Sequence, residues 1–222
     1  MREQSASWPV LYYRWFVFLL AAAYCLRTVL LGSYEEAGGP FRYLTIWALF
    51  GSFFVASRLL ARTEGRSDKR WDGVVSMVAV LNAMVVFLFW RLYFDDPFSV
   101  TSDGKLSDAY LEIYLHALGP LLQWIDAIFI HRSFRKLWRA AFGLIVLISV
   151  YVAWVELFVQ RLNPTPRGTV TSGFPYPFLN SLEFPDRAVF YGTNFAAAML
   201  LLLVFGAVAW CVRRWVPAPS AP

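Results

Sequence analysis

A chain of 222 residues that is 59% hydrophobic and only 16% charged departs from soluble domains, where about 25% of residues are charged. Its net charge of +5 is split among short stretches between apolar runs, which excludes a nucleic-acid surface and matches what membrane topology requires. With a mean hydropathy of +0.51, the expected class is an all-α polytopic membrane protein.

Six spans are predicted, at 11–31, 41–61, 73–94, 106–130, 137–160 and 188–212, forming one bundle and a single membrane domain over 1–222. The first run, flanked by Arg2 and Arg14, is long enough to remain as a span, so no cleaved signal is expected. Six spans put both termini on one side. Thirteen of the Lys and Arg residues fall at the ends on that side and seven at the other ends. The positive-inside bias therefore predicts cytoplasmic termini and an inner (plasma) membrane location.

The loops carry their own punctuation. Gly38-Gly39-Pro40 breaks the chain just before the second span. The longest loop, between spans five and six, contains Asn163-Pro164-Thr165-Pro166 and Ser172-Gly173-Phe174-Pro175-Tyr176-Pro177, which cannot continue a helix. Its aromatics suit either a segment folded onto the outer interface as a cap or an interfacial belt. Cys25 and Cys211 lie in apolar runs without a Cys or His neighbour at metal spacing, and the only histidines are His116 and His131. No metal, no haem and no other cofactor is expected.

The fourth span holds the most informative stretch. His116, Gly119, Pro120, Gln123 and Asp126 recur there at helical spacing, so they fall on or near one face. Such residues are costly in hydrocarbon without partners, so that face must point into the bundle. Thr45, His116, Glu156 and Asn194 all fall in the outer half of their spans, while Asn82 and Asp126 lie deeper. This convergence predicts an outward-facing polar pocket. Each residue also has a plainer reading. A membrane Thr commonly bonds its own helix backbone, Asn82 and Asn194 serve as interhelical glue, and Glu156 reaches the interface. His116 is either a packed neutral imidazole or a functional one. Asp126 is either a neutral acid or one half of an ion pair, with Arg58 as a candidate partner. A hydroxyl needs an adjacent base before it is a useful nucleophile, and imidazole is the usual one, so Thr45 with His116 reads as acyl transfer. Glu156 is the only acid evident at that level as a third member.

The motifs also carry a resemblance. Gly38-Gly39-Pro40-Phe41-Arg42-Tyr43-Leu44-Thr45 resembles the signature of the androgen-induced and androgen-dependent-TFPI-regulating protein family, multi-spanning hydrolases of fatty acid esters of hydroxy fatty acids. The span with His116 followed by Asp126, the run Tyr176-Pro177-Phe178-Leu179, and Ala188-Val189-Phe190-Tyr191-Gly192-Thr193 are similar to family segments in the same order. The loop over 161–173 is longer than in the animal proteins, Pro120 is displaced by one position, and the short Ala/Arg-rich loops point to a bacterial relative.

The resemblance implies a lipid ester hydrolase with Thr45 as nucleophile and His116 as base, and a membrane lipid or fatty acyl ester as partner. Tyr43, Asn194 and Glu156 are substrate-binding candidates, with Tyr43, Asn194 and backbone N–H groups the candidate oxyanion donors. Asp126, Gln123 and Asn82 are expected to be structural. No nucleic acid and no obligate protein partner is expected. The rival readings are a non-catalytic lipid-binding or sensor protein, and a small proton-linked transporter using His116 and Asp126.

Overall fold

Each predicted apolar run becomes one helix long and apolar enough to cross a membrane: α1 Trp8–Leu31, α2 Leu44–Thr63, α3 Asp72–Asp95, α4 Ala109–Ile130, α5 Leu137–Leu162 and α6 Phe184–Trp215. A bilayer core offers no water to backbone groups, and a helix satisfies them within itself. The computed structural model describes residues 8–100, 108–163, 170–171 and 173–217; among them there is no strand. The predicted start of the fourth span at Leu106, and the loop residues Pro164, Thr165, Pro166 and Ser172, lie outside the described residues.

Helix ends fall within about one turn of the predicted spans. Two displacements have local causes. Gly38 and Gly39 take φ of 85° and 47°, which glycine adopts without a Cβ penalty, and Gly39–Arg42 forms a 3-10 turn. The second helix therefore starts at Leu44 and not at the predicted 41, and Thr45 is its second residue. Pro185 sits in the first turn of α6, where its missing N–H costs nothing, and the helix begins at Phe184.

The centre of the bundle is α3. Ten consecutive or near-consecutive positions from Val75 to Val85 are buried, so this helix is enclosed on all sides. Its neighbours are α2, α4, α5 and α6. Small residues allow the approach: a Cβ on Gly51 of α2 would come within 3.1 Å of Val78, and one on Gly143 of α5 within 2.7 Å of the Met77 sulfur. α1 packs chiefly on α2 and is the least enclosed together with α5.

Three helical turns are π-helical: Tyr114–Leu118 and Asp126–Ile130 in α4, and Val155–Val159 in α5. His116, Asp126 and Glu156 each fall in one of them. A π-turn admits one extra residue and re-aims the side chains around it, and such turns recur at functional positions.

The segment before α6 folds back over the bundle end that carries Thr45. Asn180, fully buried, organises it: its Oδ1 accepts from the Phe174 N–H at 3.0 Å and its Nδ2 donates to the Phe174 carbonyl at 3.2 Å. Its own carbonyl accepts from Val170 and Thr171 N–H groups. Phe174 is driven inside, 1% exposed. Asn163 ties this segment to the α1–α2 loop by accepting from the Ala37 N–H at 2.7 Å. Of the two readings of these aromatics, the cap is the one realised.

Candidate functional site

A cavity of about 110 Å³ lies beneath the cap. Its walls come from α2, α3, α5 and α6, with Pro175, Tyr176, Phe178 and Leu179 of the cap as its lid. The wall is almost entirely apolar; Thr45 of α2, Asn194 of α6 and the tyrosines 151, 176 and 191 supply the polar groups. Dry apolar cavities of ~150 Å³ hold a benzene-sized guest, so this space has room for a small apolar group and not for a whole lipid.

Thr45 also borders a second space, of about 10 Å³, with Ser52 of α2, Asn82 of α3, and Tyr114, Leu115, Gly119 and Pro120 of α4. That is close to the minimum that houses one water, and its wall is polar enough to hold it. Asn82 donates to Ser52 Oγ at 2.8 Å there, so it links α3 to α2. Thr45 therefore stands between an apolar chamber and a small polar one.

The Thr45 side chain meets the Tyr176 hydroxyl, which also meets the Tyr151 hydroxyl and the Leu44 backbone N–H. Tyr151 in turn donates to the Arg42 carbonyl at 2.9 Å. Burial pushes the Tyr176 phenol up to about 12, against the opposing pull of its hydrogen bonds with Tyr151, Leu44 and Thr45. From the sequence Tyr176 is only part of a cap and a family motif. Its place over the first turn of α2 depends on the Asn180-centred fold of the cap, which no sequence periodicity announces.

His116 lies behind the wall of the large cavity. Its ring stacks flat on Phe89, a wall residue of α3, with centroids 3.6 Å apart and planes 4° from parallel. Nε2 lies 3.3 Å from Glu112 Oε2, one turn earlier on α4, and Nδ1 is buried with no hydrogen-bond partner. Trp90 Nε1 donates to the His116 carbonyl at 2.9 Å, holding the π-turn against α3. Thr45 and His116 make no hydrogen bond to each other. The expected cavity of spans two, four, five and six is thus replaced by two: α3 takes the place of α4 in the large one, and α4 meets Thr45 through the small one.

The remaining sequence candidates separate cleanly. Glu156 binds Arg187 of α6, with Nε–Oε1 2.9 Å and Nη2–Oε2 3.3 Å, and accepts from the Tyr191 hydroxyl at 3.0 Å. It lies away from His116, whose acid is Glu112. The i, i+4 spacing of Glu112 and His116 was the signal for that pair. Asn194 donates to Phe190 of its own helix at 2.8 Å rather than bridging helices, though it does face the large cavity. Tyr43 caps α2, packs edge-on against Tyr176 at 5.8 Å and takes a hydrogen bond from Arg42; it lines neither cavity. Gln123 donates to the Val75 carbonyl at 3.2 Å.

Asp126 pairs with Arg14 of α1, not with Arg58: Arg14 Nε–Oδ2 is 2.8 Å and Nη2–Oδ1 2.7 Å, with both side chains buried. Arg58 instead lies over the Phe54 ring and donates to Ser57. In the sequence Arg14 reads as a flanking charge, although it stands inside the predicted first span. His131 Nε2 lies 3.0 Å from Asp72 at the same end of the bundle. Among the described residues no cluster of three His, Cys, Asp or Glu side chains is placed to hold a metal.

Fold and site define a multi-pass membrane protein whose helical bundle houses an apolar cavity with Thr45 in its wall. The family description FAR-17a/AIG1-like protein matches residues 10–209, and the chain belongs to that family, the one its Thr45 and His116 segments resemble. No curated protein and no solved structure matches it.

Proposed function

We propose that the protein is an intramembrane hydrolase of fatty acyl esters, with Thr45 as nucleophile and His116 as base. The observation that carries this reading is the position of Thr45, a wall residue of both an apolar cavity and a water-sized polar one. The acyl chain lies in the first, so the ester carbonyl meets Thr45 at its end. Thr45 Oγ1 attacks that carbonyl and loses its proton to His116. The tetrahedral intermediate collapses, the ester C–O bond breaks, and the imidazole returns the proton to the departing alcohol. Water from the polar side then cleaves the acyl-threonine. Tyr176 and the N–H groups of the first turn of α2 are the donors placed to receive the oxyanion. Fatty acid esters of hydroxy fatty acids are the substrate class that the resemblance of the Thr45 and His116 segments implies. The basic bias of the sequence orients both termini to the cytoplasm and opens the Thr45 end outward; a reporter fused after Pro222 and active only outside the cell contradicts that orientation.

Turnover of such an ester and of short nitrophenyl esters by purified protein tests the reading. Thr45→Ala is expected to abolish both hydrolysis and labelling by a fluorophosphonate probe, and Thr45→Ser to retain part of each. Equal turnover by wild type and Thr45→Ala removes the nucleophile. One observation favours the alternative of a non-catalytic lipid-binding protein: Thr45 and His116 are not hydrogen-bonded, and the imidazole is engaged by Phe89 and Glu112. Catalytic contacts often tighten only with substrate bound. Under the binding reading, Thr45→Ala shifts ligand affinity by only ~0.5–1.5 kcal/mol. A proton-linked transporter has less support, because Asp126, its second proton site, is locked to Arg14.

A further inference from the structure

Three contacts fix the His116 ring. The flat stack on Phe89 sets its plane, the Trp90 bond to the His116 carbonyl sets its backbone, and the Glu112 carboxylate 3.3 Å from Nε2 sets its rotation within the plane. Glu112 is itself largely buried, its side chain 19% exposed. What remains is Nδ1, enclosed and without a partner. A buried nitrogen left unbonded costs on the order of 1–3 kcal/mol, so its vacancy calls for an explanation.

We infer that Glu112 is the positioning residue of the reaction: it holds His116 in the tautomer with the proton on Nε2, so that Nδ1 carries the lone pair. A carboxylate accepts only, so a neutral imidazole facing it must present an N–H. In the Ser-His-Asp arrangement the acid likewise selects the tautomer and steadies the imidazolium, without itself taking a proton. There the acid holds Nδ1 and frees Nε2; here the roles of the two nitrogens are exchanged. Nδ1 takes the proton as the Thr45 oxygen bonds to the ester carbon, and gives it to the alkoxide as the C–O bond breaks. A water that attacks the acyl-threonine passes a proton to Nδ1, which then restores the Thr45 hydroxyl. The π-turn over Tyr114–Leu118 serves this geometry by carrying the ring away from regular α-helical register while Glu112 stays on the preceding α-helical turn.

The catalytic part of this inference rests on the hydrolase reading; the tautomer does not. Nitrogen-15 NMR of histidine-labelled protein, with His116 assigned by difference against His116→Gln, is expected to show a protonated Nε2 and an unprotonated Nδ1 in the neutral ring. The opposite tautomer in the wild type overturns the inference whatever the variants do. Glu112→Leu is expected to mix the two tautomers and to lower kcat by about 10²-fold, the lower part of the range a general base contributes, with KM nearly unchanged. Glu112→Gln, closer in shape, is expected to lower kcat as well and guards against misfolding of the leucine variant. Wild-type tautomer and kcat in both variants overturn the proposal. Loss of turnover and of Thr45 labelling in wild type alongside the expected tautomer would instead count against the hydrolase reading.

Discussion

The two ends of α4 treat a buried polar cluster in opposite ways. The Asp126 carboxylate itself is fully matched, although Gln123 Oε1 and His131 Nδ1 nearby have no partner. Both carboxylate oxygens take Arg14 nitrogens, and the remaining Arg14 nitrogen reaches Thr63 Oγ1 at 2.5 Å and the Leu59 carbonyl at 3.3 Å. The pair joins α1, α2 and α4, and neither cavity touches it. Around His116, ten residues and ~15 Å of helix axis away, one imidazole nitrogen has no partner and cavities lie on the far side of Phe89 and at Thr45. A closed network holds helices together. An open one keeps donors and acceptors for something absent. On the proposed reading, the same helix therefore divides into a structural end, built on the closed Arg14–Asp126 pair, and a chemical end at His116.

Four experiments break or sharpen that division. The largest effect is expected from His116→Ala, which should cut ester turnover by about 10²–10⁴-fold while leaving thermal melting near that of wild type. Its loss should not add to that of Thr45→Ala, because the two act as a unit. Activity of the wild type should fall on the acidic side as the imidazole becomes cationic and stops accepting protons.

Asp126→Asn should do the reverse. Removing one partner of a buried pair strands the other charge, at a cost of about 3–5 kcal/mol, read as a lower melting temperature or poorer yield. Turnover per folded molecule should stay close to wild type; its complete loss in well-folded Asp126→Asn would dissolve the distinction between the two ends. The double variant Arg14→Met with Asp126→Leu should recover much of the stability that either single change loses, since apolar replacement of a whole pair is often neutral.

Arg187→Met tests whether the Glu156 cluster belongs with the structural end. Arg187 also donates to the Leu182 carbonyl at 2.7 Å and lies over Phe174 and Phe184, so its loss should loosen the cap as well as strand Glu156. A drop of about 2–3 kcal/mol in stability, with faster proteolysis of the segment before α6, is the expected result.

The smallest effect is expected from Tyr176→Phe, about 0.5–1.5 kcal/mol in stability or in kcat/KM for one hydroxyl removed from Thr45. It has a pH signature. The folded-state pKa of about 12 lies above the ordinary value of 10.0, so the stability it contributes is fully present below about pH 10 and is lost as pH rises toward 12. Alkaline melting curves of Tyr176→Phe should therefore fall less steeply than those of wild type across that interval.

Composition and hydropathy alone determined six helices, their approximate limits and the presence of polar residues needing partners, because a bilayer leaves the backbone no choice but a helix and makes lone charges expensive. The sequence motifs likewise marked Thr45 and His116. Partnership was decided only in three dimensions. Apart from a few polar positions the spans are apolar nearly all round, so nothing in the periodicity says that α3 is the enclosed one, or that Arg14 rather than Arg58 faces Asp126. The π-turns at His116, Asp126 and Glu156 shift side-chain direction off the 3.6-residue pattern from which faces are read. The cap brings Tyr176 over Thr45 through hydrogen bonds to Asn180, and contacts between residues so far apart in the chain are set by the packed bundle rather than by local pattern.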